Sequence, residues 1–134
     1  MSSAGETDLG VLLASMQPEL LPGEFVYCTV PAAAGVPVGA DPVVVVREPE
    51  GLTLVLARDD ADRLGLAYEY VAAMVTLRVH SALEAVGLTA AVATCLTAAG
   101  LSCNVVAGFH HDHLFVPHER GAECVDLLRE LSRP

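Results

Sequence analysis

The residues whose types are best suited to chemistry lie close together near the end of the chain. Four of the five histidines surround one carboxylate there, at His110, His111, His113 and His118 beside Asp112. Imidazole and carboxylate groups are common ligands of zinc and other divalent metals. Their spacing matches no known zinc motif, however, and in an extended hairpin His110 and His111 would face opposite sides. We interpret this segment as a pH-sensitive polar hairpin, with a divalent-metal site or a metal-dependent enzyme as the alternative.

Cysteine chemistry has less support in the sequence. The four cysteines, at positions 28, 95, 103 and 124, stand far apart and form no C-x-x-C pair. Cys103 would need an activating histidine, and no helix N-terminus or basic cluster is placed to lower the pKa of its thiol. The chain also begins without a charged segment followed by an apolar one. We therefore expect reduced thiols, a cytoplasmic location, no catalytic residues and no cofactor.

Composition excludes two classes of partner. The 134 residues are 53% hydrophobic and 18% charged, and they carry a formal net charge of −10 with a pI near 4.7. Such a chain would repel the phosphate backbone of a nucleic acid. No apolar run reaches the roughly 18 uninterrupted residues that a membrane span needs. We predict neither nucleic-acid nor membrane binding.

The elements that position these residues follow a β-α-β-β-α order from Met74 onward. β-branched runs indicate strands, an alanine-rich stretch indicates a helix, and Gly100 stands where a helix would end. Thr89 is the predicted cap of that helix. The predicted elements are strand Met74–His80, a connection ending at Gly87, helix Ala90–Ala99, strand Leu101–Phe109, strand Leu114–Val116 and helix Glu119–Leu131.

The first half of the chain repeats a similar order with a long loop in place of one helix. Asp8 caps a predicted helix that ends at Met16, and a run of four valines predicts a strand buried on both faces. The other predicted elements are strand Glu24–Val30, loop Ala32–Pro42, strand Val43–Arg47, strand Leu52–Ala57 and helix Ala61–Leu66. Two degenerate β-α-β-β-α-β sandwiches of the α+β class would result, with antiparallel sheets and helices on one face.

Four segments in this order resemble an ACT domain, a small ferredoxin-like regulatory domain that binds amino acids. They are Val75–Val79, Val86–Thr89, Gly100–Val105 and Leu114–Pro117. Two further segments, Pro22–Pro31 and His110–Pro117, resemble a group of small bacterial proteins that consist of two ACT-like lobes. Similar tandem lobes occur in aspartate kinases and in cytosolic arginine sensors. The resemblance implies an N-terminal lobe over residues 1–66 and a C-terminal ACT domain over residues 67–134.

The chain departs from the standard domain at its end. Only three residues follow Leu131, so the last strand of the C-terminal lobe cannot come after its helix. We predict that Phe25–Val30 fills that position, so that the two lobes share a strand. One lobe would then be inserted into the other, as happens in aspartate kinases.

The resemblance also implies a ligand site, because ACT ligands lie between lobes or chains against the first strand–helix loop. Amides at a helix start suit a carboxylate, and an acidic side chain suits an ammonium group. The implied ligand residues are Glu84, Val86, Gly87, Leu88, Thr89, Asn104 and Val105. In the alternative interpretation Gly87 only shapes the loop, Glu84 is solvated and Asn104 caps a turn or satisfies backbone groups.

The function implied is non-catalytic sensing of an amino acid or a similar small metabolite. A ligand that favours one arrangement of lobes or subunits would shift its population and so regulate a partner. The expected partners are a second copy of the chain, in a homodimer, or a separate effector protein. A further alternative is an interaction module that binds no ligand.

Overall fold

The computed structural model describes residues 8–79 and 86–133, which fall into two compact units. One, the split unit, combines Met1–Leu21 with Ala73–Pro134, and the other, the central unit, is Pro22–Ala72. Each has a hydrophobic cluster of its own. The lobe boundary at residue 66 stays a prediction.

The split unit begins with helix α1, Leu9–Ser15, which is followed by strand β1, Gln17–Leu20. The predicted cap is confirmed, because the Asp8 carboxylate accepts a hydrogen bond of 3.1 Å from the Val11 amide. Strand β1 was not predicted, since Pro18 reads as a stop signal in a sequence. Proline is tolerated in an outer strand where its nitrogen faces away from the neighbouring strand.

Four strands form the antiparallel sheet of the split unit, in the order β1-β5-β7-β6. Strand β5 is Val71–Arg78, β6 is Asn104–Ala107 and β7 is Asp112–Pro117. The position beside β5 that a strand after the last helix would fill is occupied by β1, with Leu20 opposite Val75. Sequence reasoning had placed Phe25–Val30 at this position.

Two helices cover one face of this sheet: α3 spans Leu88–Ala98 and α4 spans Gly121–Leu131, after a 3₁₀ turn at His118–Arg120. Val92, Leu96 and Leu128 are fully buried against the strands. Gly100 follows α3 with φ of 68°, the left-handed conformation expected of a terminating glycine. The β-α-β-β-α order predicted from Met74 onward is confirmed.

The central unit has the same strand arrangement in smaller form. Strand β2 is Phe25–Val30, β3 is Val44–Glu48, β4 is Gly51–Ala57 and helix α2 is Arg58–Leu64. The order is β3-β4-β2, and the free side of β2 pairs at Phe25 and Val26 with Ala72 and Val71. A short 3₁₀ turn, Ala32–Ala34, follows the first strand of this unit, at the place in the order of elements that α3 takes in the split unit. The α+β class and the ferredoxin-like architecture are confirmed.

The valine-rich strand β3 corrects one prediction. Its residues are largely exposed, and Val45 and Val46 each keep 44% of their surface accessible. β3 pairs only with β4 at the outer side of the central unit's sheet. Val45 and Val46 are neighbours and point to opposite faces of the strand, so β3 is not buried on both faces, although its sequence resembles that of a central strand. Within the described ranges, no helix is long and apolar enough to cross a membrane.

Candidate functional site

The predicted carboxylate site lies at the start of α3. Gly87 is the residue before the helix, with φ of 104° and ψ of −24°, and among the described residues no side chain caps the helix there. Leu88 is 3% exposed and anchors the first turn in the core, whereas Thr89 is exposed. Thr89 is therefore the second helical residue and not the cap that the sequence suggested. Gly87, in a left-handed conformation, takes the cap position, and the helix begins at Leu88, two residues before the predicted Ala90.

Gly87 also has a structural reason to be glycine. A Cβ atom at this position would lie 3.0 Å from Leu9 Cδ2, and its positive φ disfavours any other residue. The positive φ therefore favours glycine here with or without a ligand, and the contact with the flexible Leu9 side chain adds to this preference. Val86, next to it, is 82% exposed.

The proposed acidic partner, Glu84, lies outside the described residues, as does the rest of segment 80–85. Asn104 and Val105 are consecutive residues of β6, paired with Phe115 and Leu114. Val105 packs on the core beneath the helices, so the exposed Asn104 side chain is on the other face of the strand. The side chains of Asn104 and Val105 therefore do not lie on the same side of a ligand site, as the sequence interpretation had placed them.

The histidine-rich hairpin is integrated into the split unit. Its turn closes through a 2.9 Å hydrogen bond from the Gly108 amide to the His111 carbonyl. β7 starts at Asp112, so His113 lies in a strand, where its Nδ1 is 3.0 Å from Thr76 Oγ1. Burial, and secondarily the nearby His111, lowers the pKa of His113, whereas Asp112 opposes this shift.

Two other groups of the hairpin are also withdrawn from solvent. Burial raises the pKa of Asp112, which is 7% exposed. His111 Nδ1 is buried without a hydrogen-bond partner. Among residues 8–79 and 86–133, no three His, Cys, Asp or Glu side chains are grouped as a metal site would require. The metal alternative gains no geometric support from the hairpin.

The cysteines are free and poorly placed for nucleophilic chemistry. Burial raises the pKa of Cys28 and Cys103, and it raises that of Cys124 to about 12. A catalytic thiol needs the opposite shift, because the thiolate is the nucleophile.

Sequence reasoning missed a cleft in the central unit. It has a volume of about 520 Å³ and includes every tyrosine of the chain. We call it the tyrosine cleft; its lining residues are Tyr27, Cys28, Thr29, Thr53, Ala67, Tyr68, Glu69 and Tyr70. The alternating Tyr68-Glu69-Tyr70 segment was a signal, but Tyr27 is far from it in sequence and only the folded strands bring them together.

Comparisons with known proteins identify the family. Two family models, each described as an ACT domain, match residues 4–73 and 69–130. A Vibrio cholerae protein of unknown function, described as a possible transport protein, is 46% identical; the match covers 93% of this chain and 96% of that one, with a TM-score of 0.84. No curated protein matches the sequence.

Two more distant structures share the fold. An Agrobacterium tumefaciens protein is 22% identical, with 87% of this chain and 89% of that one covered and a TM-score of 0.72. The ligand-free regulatory subunit of aspartate kinase from Thermus thermophilus is 9% identical, with 88% and 98% covered and a TM-score of 0.60. Both family-model matches are to ACT domains, and the strand order of each unit is that of a ferredoxin-like sheet. The chain therefore belongs to the ACT-domain family, with two such domains in tandem.

Proposed function

We propose that this protein is a non-catalytic regulatory protein that binds an amino acid or a similar small metabolite. The observation that carries the proposal is that both halves match ACT-domain models, a family that generally binds small molecules and oligomerises. The fold likeness to the regulatory subunit of an aspartate kinase supports the same role. The raised thiol pKa values give no support to a catalytic alternative.

The ligand carboxylate would bind at the start of α3. The first amides of a helix lack intrahelical partners, and the helix dipole favours a negative charge near them. Within residues 8–79 and 86–133, no side chain caps these amides. The buried Leu88 fixes the first turn, and the exposed Val86 and Thr89 leave it accessible. Glu84 would receive the ammonium group, and Asn104 would offer its exposed amide.

Regulation would act through the helix layer of the split unit. α3 contacts both α1 and α4 there, so a ligand that tightens the start of α3 changes the packing of its neighbours. Such a ligand shifts the population of one arrangement, and the partner with higher affinity for that arrangement responds. We infer that the partner is a second copy of this chain or a separate effector. Four free thiols agree with a cytoplasmic setting.

A thermal-shift screen across the amino acids at millimolar concentration tests the proposal. A ligand present at 100 times its Kd stabilises the folded state by about 2.7 kcal/mol, which gives a clear rise in Tm. Absence of any such rise would count against sensing and would favour an interaction module that binds no ligand.

The Thr89→Asp variant tests the location of the site. Its carboxylate would compete for the helix amides and abolish the ligand-induced shift, while the helix dipole stabilises the free protein by about 0.3–1 kcal/mol. Thr94→Asp is the matched control, because Thr94 is exposed in the middle of the same helix. Unchanged ligand binding by Thr89→Asp would place the site elsewhere.

A further inference from the structure

We propose that the tyrosine cleft is a second binding site, specific for a small organic ammonium ion. All of its lining residues belong to the central unit. Its volume of about 520 Å³ lies within the range of small-molecule sites. The proposal does not depend on ligand binding at the start of α3.

The strand register explains how the cleft is built. In the pairing of β2 with β5, Phe25 lies opposite Ala72 and Val26 opposite Val71. The next position in this antiparallel register joins Tyr27 to Tyr70, where the pairing has ended. Their ring centroids are 6.0 Å apart and the ring planes meet at 58°. Two tilted aromatic rings therefore stand at the point where the strands diverge.

The third tyrosine is held rigidly by polar contacts outside the cleft. The Tyr68 hydroxyl accepts a hydrogen bond of 2.8 Å from Arg58 Nε and donates one of 2.7 Å to Asp62 Oδ1. The Arg58 guanidinium carbon lies 5.5 Å from the centroid of the Tyr68 ring, and Glu24 pairs with the same guanidinium. Because the Arg58 guanidinium already contacts this ring, the ring contacts to a bound cation would come from Tyr27 and Tyr70, and Tyr68 serves as a rigid wall of the cleft.

The charges around the cleft favour a cation. Glu69 is the one carboxylate in the lining; it is exposed and makes no ion pair with another described residue. Arg58, which contacts Tyr68 from outside the lining, is paired with Glu24. The Thr53 hydroxyl donates to Glu48, so a second carboxylate adjoins the lining. With a net charge of −10, the whole chain also attracts cations and repels anions.

Aromatic faces and one carboxylate together match an alkylated ammonium group. Its charge is spread over methyl groups that rings can contact, and it loses water more readily than a bare ammonium ion. Thr29 is an exposed residue of the same lining, and its hydroxyl would offer a hydrogen bond to a polar end of the ligand. Choline has this chemistry and is a suitable probe.

Tyrosine fluorescence provides a reporter confined to this cleft, because the chain contains no tryptophan and all three tyrosines line it. We expect a saturable fluorescence change when the intact protein is titrated with choline. The uncharged isostere 3,3-dimethylbutanol should bind at least tenfold more weakly, since it has the same shape without the charge. Equal binding of the two compounds, or no saturable change at millimolar choline, would overturn the proposal.

Variants separate the roles of ring and charge. Tyr70→Leu should weaken choline binding at least tenfold, whereas Tyr70→Phe should retain it because the ring remains. Glu69→Gln should weaken it several-fold, and Glu119→Gln, the same change at an exposed position outside the cleft, should not. Retained affinity in both Tyr70→Leu and Glu69→Gln would overturn the proposal. Because Thr89→Asp should bind choline normally, failure of either site is distinguishable from failure of the other.

Discussion

Gly121, the first residue of α4, allows a prediction about stability. Helix propensity and steric overpacking have opposite effects on the free energy of unfolding there, and the two are of comparable size. A Cβ atom at Gly121 would lie 2.9 Å from Ala73 Cβ and 3.0 Å from Leu20 Cδ1. Two carbon atoms prefer a separation of about 3.5–4.0 Å. The 43% exposed Leu20 side chain can rotate away, but Ala73 Cβ is fixed to the backbone of β5 and is 2% exposed. The helix and the strand must therefore separate to admit a methyl group.

Two magnitudes decide the sign for Gly121→Ala. Replacing glycine by alanine favours a helix interior by at most about 1 kcal/mol, and less at a first position. Overpacking a close contact costs about 1–3 kcal/mol. We therefore expect the free energy of unfolding to fall by about 1–2 kcal/mol. Gly10→Ala is the matched control, because its Cβ would meet only Asp8 Oδ1, at 3.3 Å, and we expect no loss of stability.

Urea unfolding followed by circular dichroism measures both changes, and the two variants should shift the midpoint differently. The Ala73→Gly background adds a second test, because removing the opposing methyl should reduce the cost of Gly121→Ala. The packing argument fails if Gly121→Ala stabilises the protein as Gly10→Ala does. It also fails if the cost is the same in the Ala73→Gly background.

Two further predictions concern titratable groups of the split unit. Because the pKa of His113 is lowered in the folded state, the unfolded state binds more protons than the folded state at pH values just below the ordinary histidine pKa of about 6.5. Acidification through that range should therefore reduce the free energy of unfolding. His113→Gln, which can keep a hydrogen bond to Thr76, should flatten this part of the pH profile of urea unfolding; an unchanged slope would contradict the assignment. At neutral pH the Cys124 thiolate, with a pKa of about 12, should be about a thousandfold scarcer than in a free cysteine. Mass spectrometry after iodoacetamide treatment should find Cys124 unmodified in the native protein and modified in urea, and rapid native labelling would refute its burial.

Local signals explain what sequence reasoning predicted correctly. Asp8 caps α1 and Gly100 ends α3 through contacts and backbone angles within a few residues, so their positions follow from residue type alone. The β-α-β-β-α order after Met74 follows from hydrophobic periodicity in the same way. The candidate site was only partly predictable: Gly87 adjoins the helix start as expected, but Thr89 does not cap it.

The features that sequence reasoning missed depend on partners distant along the chain. Pairing with β5 makes β1 a strand despite Pro18, and valines of β3 that resemble core residues in the sequence are exposed on both faces of the strand. The tyrosine cleft likewise exists because the register of β2 and β5 brings Tyr27 beside Tyr70. Sequence alone determined most of the elements and their order, since these follow from local backbone preference and periodicity, and the resemblance of its segments to ACT domains indicated the family. The tertiary structure decided strand neighbours, exposure and clefts, because these depend on long-range pairing that no single segment contains.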